Sequence, residues 1–376
     1  MDITGIICEY NPLHRGHKKQ FDRIKAYNDT AIVCLMSGNF VQRGEPAIID
    51  KSLRAEAAIR SGADLVLEMP ITASLSSAEG FAAKCVAILG KFCDRLSFGA
   101  ETPNTQGLLS AAEALSSPVF REHLHKALDT GISFPAARQQ ALEKMGVDVA
   151  IVQSPNNILA VEYCKAILTQ KCKMVPAPIF RGGDYHAATP EAENPSATSL
   201  RQLLLQGEDI TPYLPEGIHY PGAVLHALKY GERAMLGKLR TMSEEEFSQV
   251  PYGSEGLWRK LMHAARECAT LEEVYEAVKS KRYTYTRISR MVMCAFLGIT
   301  QEDLDAEIPY TRVLAFNSKG RQILKEARNT GVFLNAGEKT DNPWQSMETK
   351  YGDLYGLFAE TPEAPGVEAK RRIISL

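Results

Sequence analysis

The stretch that most constrains this chain is its start: Ile3-Thr4-Gly5-Ile6-Ile7-Cys8, then Glu9-Tyr10-Asn11-Pro12-Leu13-His14-Arg15-Gly16-His17. The first six residues are short, β-branched and uncharged, the pattern of a buried strand. Asn11-Pro12 breaks that strand, and from Gly16 onward the pattern is helical. The result is a strand, a tight turn and a helix N-terminus carrying two histidines. Such a terminus offers unpaired N–H groups and a partial positive charge, which suits phosphate. His14 and His17, three residues apart, bring both rings to one side of the first turn. Gly16 removes a side chain where a ligand approaches. Two histidines can also do no more than cap a helix. Their place after the first strand of a parallel sheet favours a ligand, because ligands bind at the carboxyl ends of such strands. Zinc fits poorly, since no nearby carboxylate or cysteine cluster completes a ligand set.

The next two hundred residues repeat the strand–helix alternation. Strands are expected at 31–36, 63–70, 95–101 and 173–176, with helices at 51–61, 76–89, 106–116, 118–129 and 134–144. This predicts an α/β fold, a Rossmann-like open parallel sheet. Polar segments follow several strands. Ser37-Gly38-Asn39-Phe40-Val41-Gln42-Arg43-Gly44-Glu45-Pro46 follows the second, Gly99 closes the fourth, and Arg181 stands beside Gly182 and Gly183 after the fifth. An arginine fork next to glycine backbone suits phosphate oxygens, although a solvated surface arginine is the commoner case. Ser154-Pro155 opens a helix whose first turn holds Asn156 and Asn157, amides that also serve as caps. Pro195-Ser196-Ala197-Thr198-Ser199-Leu200-Arg201 sets a hydroxyl cluster and a cation at one more helix start. It lacks the acidic partner of a capping box, because Arg201 stands three residues after Thr198.

Little periodicity survives from Pro212 to Pro221, so the chain is divided there into 1–215 and a mainly helical 216–376. Helices are expected at 223–230, 244–250, 256–268, 271–279, 287–297 and 318–329. The second part holds Lys279-Ser280-Lys281-Arg282-Tyr283-Thr284-Tyr285-Thr286-Arg287-Ile288-Ser289-Arg290. Cations neutralise phosphates and tyrosines stack on unpaired bases, so this stretch is a candidate RNA contact as well as an ordinary solvated face. A net charge of −2 over 376 residues means that any nucleic acid is met by such a local patch. The eight cysteines are scattered through apolar segments without a CxxC pair, as in a reduced cytoplasmic protein. No signal peptide and no membrane-length apolar run is evident.

His14-Arg15-Gly16-His17 resembles the HxGH signature of the nucleotidyltransferase superfamily, and 195–201 resembles its second signature, SxTSxR. The longer run from Glu9 to His17 is narrower, and is similar to the bacterial tRNA(Met) cytidine acetate ligase family. That resemblance continues through Met36–Ala47 (MSGxFxQRGEPA), Ser154–Leu159 (SPNNIL), the KRYTYTRISR segment, and Pro309–Asn317, where Ala315 stands in place of a usual glycine.

The resemblance implies an ATP-dependent ligase that activates acetate as acetyl-adenylate and acetylates N4 of the wobble cytidine, C34, of elongator tRNA(Met). It implies His14, His17 and Arg201 as catalytic residues. It implies ATP binding by Ile7, Cys8, Glu9, Tyr10, Asn11, Pro12, Leu13, His14, Arg15, Gly16, His17, Lys18, Lys19 and Gln20, with Gly99, Asn156, Asn157, Arg181, Thr198 and Ser199. It implies tRNA binding by Lys281, Arg282, Tyr283, Arg287 and Arg290. In this scheme His14 and His17 are N–H donors to the α- and β-phosphates. Thr198, Ser199 and Arg201 hold the β/γ end with help from Arg181, while Gly99 and Asn157 lie along the nucleoside. Magnesium is expected on the phosphates rather than in a protein cage, and neither a membrane nor an obligate protein partner is implied. Two other classes remain open on residues alone: a small-molecule adenylyltransferase or acyl-adenylate ligase without RNA, and an RNA-binding protein with a relic nucleotide site.

Overall fold

The opening residues form the central strand of a sheet. The computed structural model describes residues 1–27, 29–152, 154–181, 195–308, 311–330, 333–334 and 343–376. The first half runs β1 (Ile3–Cys8), α1 (Arg15–Tyr27), β2 (Ala31–Ser37), β3 (Phe40–Val41), β4 (Glu45–Pro46), α2 (Lys51–Ser61), β5 (Leu65–Met69), α3 (Ile71–Ser74), α4 (Ala78–Leu89) and β6 (Arg95–Ala100). It continues through α5 (Thr105–Ser116), α6 (Pro118–Leu128), α7 (Phe134–Lys144), α8 (Pro155–Thr169), β7 (Val175–Phe180) and α9 (Ala197–Leu205). The second half holds α10 (Leu228–Thr241), α11 (Glu244–Ser248), α12 (Leu257–Glu267), α13 (Leu271–Val278), α14 (Tyr285–Leu297), α15 (Gln301–Asp305), β8 (Thr311–Phe316) and α16 (Ser318–Glu326). Then follow β9 (Phe333–Leu334), α17 (Pro343–Tyr355), α18 (Val367–Lys370) and β10 (Ile374–Ser375).

The sheet order is β10-β8-β5-β2-β1-β6-β7, with β9 also beside β8. All its pairings are parallel except β5 with β8. Helices cover both faces. One apolar layer packs α4, α5 and α8 against Val33, Leu35, Leu67 and Leu96, and the other packs α1, α2 and α9 against Ile6, Ile32, Cys34 and Val66. Strands buried on both faces need continuous apolar runs, and β2 is buried at every residue. The strand order reverses between β1 and β6, which opens a crevice at their carboxyl ends. The Rossmann-like sheet is as expected.

A third core joins α10, α12, α13, α14 and α17, and it takes in Phe40 and Leu75 from the first half. Residues 216–376 do not stay apart, however. β8 and β10 return to the sheet, so the Thr311–Asn317 run is a strand and its cap rather than part of a helical domain. Its alternation Val313, Ala315 against Arg312, Leu314 is too short to separate from a buried helix turn in the sequence. Pro309 and Tyr310 lie outside the described residues.

Two further expectations shift. The strand at 173–176 is in fact Val175–Phe180, and its prolines at 176 and 178 are tolerated because β7 is the sheet edge. The helix at 223–230 begins only at Leu228, because His226 is bridged to Ala359, with its N–H donated to the Ile48 carbonyl.

Candidate active site

The β1–α1 turn builds the site from backbone constraint. Tyr10 takes a left-handed conformation (φ 46°), and its buried ring packs edge-on to His17 with centroids 4.9 Å apart. Asn11 Oδ1 accepts the Ile48 N–H at 2.7 Å, and Pro12 and Leu13 are buried. The turn thereby feeds His14 into the crevice at 2 % exposure.

The two rings lie 3.7 Å apart, centroid to centroid. His14 Nδ1 accepts the Gly16 N–H at 3.1 Å, and His17 Nδ1 accepts the His14 N–H at 3.2 Å. Both Nδ1 atoms are therefore acceptors, which assigns the ring protons to Nε2 when the rings are neutral. They are neutral. Burial, reinforced by Arg181, lowers the His14 pKa to about 3, and burial followed by His14 and Arg181 holds His17 well below its usual value. His17 keeps some open surface, yet its close surroundings make burial the leading cause. The Nε2 of His14 is buried with no hydrogen-bond partner among the described residues. A buried donor left unmatched costs about 1–3 kcal/mol, and a ligand oxygen removes that cost. Gly16 is required here, because a Cβ would sit 2.9 Å from His14 Cε1.

The second signature reaches the first. Ser196 caps α9 by accepting the Ser199 N–H, and Ser199 is buried with its hydroxyl tied to Ser196. Arg201 donates to the Asn11 carbonyl at 2.9 Å and to Thr198 Oγ1 at 3.3 Å, so the N-terminus of α9 faces the histidine turn. Burial lowers the Arg201 pKa, while Glu45 and Glu9 oppose that shift.

Between α1, β6 and β7 lies a cleft of about 160 Å³ lined by Gly16, Lys19, Gln20, Arg23, Gly99, Ile179, Phe180 and Arg181. A Cβ at Gly99 would meet Arg181 Cδ at 2.9 Å, so glycine lets the arginine cross the strand end. Gly182 and Gly183 lie outside the described residues. Arg15 donates to the Leu214 carbonyl, and Arg15, Lys18 and Lys19 rim an adjoining hollow with Pro215, Glu216 and Gly217. Lys18 is paired with Asp22, and Gln20 donates to Ser97 Oγ at 3.2 Å. Ile7 packs into the core, and the Cys8 thiol donates to the Leu35 carbonyl at 3.8 Å.

The amide pair does something the sequence left open. Asn156 Nδ2 and Ser154 Oγ each donate to Glu101 at 2.6 Å, the Asn157 N–H adds a third bond at 3.0 Å, and Asn157 Oδ1 accepts the Thr102 N–H. Burial pushes the Glu101 carboxyl up, and these bonds outweigh it and hold it below its usual value. Within this amide pair, Asn157 Nδ2 is buried without a partner among the described residues, so its two amide protons are left for a ligand.

The basic stretch divides. Lys281 is exposed, Arg282 is exposed and pairs with Glu255 at 2.6 Å, and Tyr283 donates its hydroxyl to the same carboxylate. Arg287 lies over the Tyr283 ring and donates to the Tyr252 carbonyl and Ser254 Oγ. Arg290 is a correction. At 8 % exposure it stacks on Tyr252 and donates to the Gln42 carbonyl, since its place on α14 faces the core rather than solvent.

Sequence reasoning missed several contributors. Arg23 lines the cleft and donates to the Phe180 carbonyl at 2.6 Å; its i, i+4 spacing from Lys19 is the signal that would have found it. Arg54 is fully buried and bonds the carbonyls of Glu9, Ser37 and Ile49, holding two strand ends together. Arg259, Lys260, His263 and Arg266 form an exposed basic face on α12 beside the basic stretch.

The chain matches the family model described as HIGH Nucleotidyl Transferase over residues 1–367. It is 38% identical over 358 residues to the tRNA(Met) cytidine acetate ligase of Clostridium novyi, covering 87% of this chain and 88% of the relative. It is 35% identical over 356 residues to the enzyme of the same name from Acetivibrio thermocellus, covering 87% and 86%. Among solved structures, Thermotoga maritima TmcAL in its apo form I superposes with a TM-score of 0.90 at 28% identity. The same protein bound with alpha-thio ATP gives 0.86 at 29%, both covering 100% of each chain.

Proposed function

Belonging as it does to the HIGH nucleotidyl transferase family, this chain is a tRNA(Met) cytidine acetate ligase that binds ATP, and we propose how its residues divide that work. Acetate attacks the α-phosphorus of ATP; the bond to the β-phosphate oxygen breaks, and acetyl-adenylate and pyrophosphate result. The exocyclic N4 amine of cytidine C34, in the anticodon of elongator tRNA(Met), then attacks the acetyl carbonyl, AMP leaves, and the nitrogen loses a proton.

The first step asks for pre-placed donors where negative charge grows, rather than for a protein nucleophile. His14 and His17 supply neutral Nε2–H donors to the α- and β-phosphates. Arg201, Thr198 and Ser199 take the β/γ end, with Arg181 from the facing strand. Gly99, Asn157 and the β1–α1 backbone line the nucleoside. Asn156 acts through Glu101. The observation that carries this reading is the unpartnered, buried Nε2 of His14 at the strand-order reversal.

Among the described residues no group of three His, Cys, Asp or Glu side chains is placed to hold a metal. On charge grounds magnesium would enter on the ATP phosphates, and no step is assigned to it. Lys281, Arg282, Tyr283 and Arg287, with the α12 face, form the RNA contact. The nucleotide work falls to 1–215 and the RNA work to 216–376. Among the described residues no helix is long and apolar enough to cross a membrane, and all eight cysteines are free, which supports work in the cytoplasm.

Incubating the protein with ATP, isotopically labelled acetate and total tRNA, then analysing nucleosides by mass spectrometry, tests the reading. Labelled N4-acetylcytidine is expected. AMP and pyrophosphate accumulating over unmodified tRNA would instead favour an acyl-adenylate enzyme without an RNA substrate.

A further inference from the structure

The β3–β4 hairpin stands between the two halves of the proposed reaction and is fastened to both. On the nucleotide side, the Gln42 N–H donates to Glu9 Oε1 at 2.9 Å, and Glu9 directly follows β1. On the helical side, Ser289 Oγ donates to the Gly44 carbonyl at 3.2 Å, and Arg290 donates to the Gln42 carbonyl at 3.4 Å. Gly44 has φ 79° and lies so close to α14 that a Cβ would sit 2.6 Å from backbone atoms of Ser289 and Arg290. Phe40 and Val41 anchor the base in the core. The tip therefore has a fixed position, and its backbone groups at Gln42 and Gly44 are spent on holding it.

One side chain at that tip has no such task. Arg43 is exposed, and among the described residues it makes no hydrogen bond or ion pair. Its charge reaches the catalytic signature: after burial and the opposing carboxylates of Glu45 and Glu9, Arg43 is the remaining influence on Arg201. Burial first and Glu45 second raise the Tyr285 phenol, so the same hairpin also borders the start of α14. An exposed guanidinium with no partner among the described residues, carried on a fixed hairpin beside a site that handles phosphates, is placed to fork onto phosphate oxygens. The ATP phosphates already have His14, His17, Arg181 and Arg201. Arg43 lies on the hairpin that joins the crevice to α14, whose start carries the exposed basic stretch.

We propose that Arg43 binds a phosphodiester of the RNA strand next to the nucleotide being acylated, and so aligns that nucleotide with the adenylate. This rests on the proposed function, because a base delivered out of a single-stranded loop brings its flanking phosphates with it. Arg43 is a positioning residue for the second half-reaction and has no part in the first.

The test measures both half-reactions on full-length Arg43→Ala and Arg43→Lys proteins. Acetate-dependent exchange of labelled pyrophosphate into ATP reads the first without RNA, and acetyl transfer to tRNA reads the second. For Arg43→Ala, exchange is expected within twofold of the unaltered protein and kcat/KM for tRNA reduced at least tenfold, with the salt slope of binding lowered by about one. Arg43→Lys keeps the charge and should restore the salt slope, while the lost fork lets it recover only part of the transfer. Loss of exchange equal to the loss of transfer would assign Arg43 to ATP phosphates, and transfer within twofold would leave it without a role; either overturns the proposal. If the unaltered protein exchanges pyrophosphate yet never acetylates tRNA, the function itself fails and this inference falls with it.

Discussion

Two clusters sit on the carboxyl edge of the same sheet and are built on opposite terms. At β1 and β6, neutral histidines and a buried amide leave donors unmatched among the described residues. Two strands away, at the end of β5, every charge is answered. Lys51, at 2 % exposure, meets Glu68 at 2.5 Å and Glu368 at 2.8 Å. Arg312 meets Glu68 at 2.5 Å, Glu348 at 3.2 Å and also Glu368, while Arg371 grips Asp50 at 2.8 Å. Burial pushes the Glu68 carboxyl up, but Arg312 and Lys51 outweigh it and hold it low. A cluster that satisfies itself is a fastening; a cluster that does not is a site. Here the fastening ties the C-terminal segment to the sheet, through α17, α18 and β8.

The largest expected break in this contrast is Glu68→Ala. It strips a shared carboxylate from two buried cations and should lower stability by about 3 kcal/mol, the low end for breaking a buried pair because Glu348 and Glu368 remain. Thermal or denaturant unfolding measures it. His14→Ala should cost less at neutral pH, because the lost packing of the buried ring is partly offset by removing an unsatisfied donor.

The second effect is pH dependence. His14 has a folded pKa near 3 against an unfolded 6.5, so below pH 6.5 the unfolded chain takes up a proton that the folded chain refuses, and stability falls as pH drops. One such group costs about 2 kcal/mol at pH 5, and His14→Gln should flatten that limb. Asp50 acts in the same direction but in a lower window. Its carboxyl is held at about 2 against 3.8, chiefly by Arg371 over the cost of burial, so its contribution persists above pH 4 and is lost only as pH falls toward 2. Urea titrations at pH 7 and 5 read the His14 limb, and one at about pH 3 adds the Asp50 loss.

The smallest effects divide the basic stretch. Lys281→Ala should leave stability within about 0.5 kcal/mol and lower the salt slope of tRNA binding by about one. Arg290→Ala should cost about 1–3 kcal/mol through its lost packing on Tyr252 and the hairpin, with no matching change in slope. A lowered slope for Arg290→Ala would return that residue to the RNA face.

Much of the nucleotide half was legible from sequence for a physical reason. Strand, breaker and helix follow one another within the first 27 residues, so His14 and His17 carry their own geometry. Arg201 needed only a second local pattern. What stayed hidden depends on contacts far apart in the chain. β8 pairs with a strand more than 240 residues earlier, Arg290 faces inward because of a hairpin at 40–46, and the Lys51–Glu68–Glu368 cluster joins three distant segments. No local period encodes those. A charge run likewise cannot say which of its members points out.

The most direct measurement of the central claim is acetate-dependent exchange of labelled pyrophosphate into ATP, with His14→Ala, His17→Ala and the double variant. Circular dichroism and melting at neutral pH should be kept alongside. If neutral Nε2–H donors stabilise the charge that grows at the α- and β-phosphates, each single variant should lose about 100- to 1,000-fold in exchange rate while remaining folded. Exchange within threefold of the unaltered protein, in folded variants, would contradict the account.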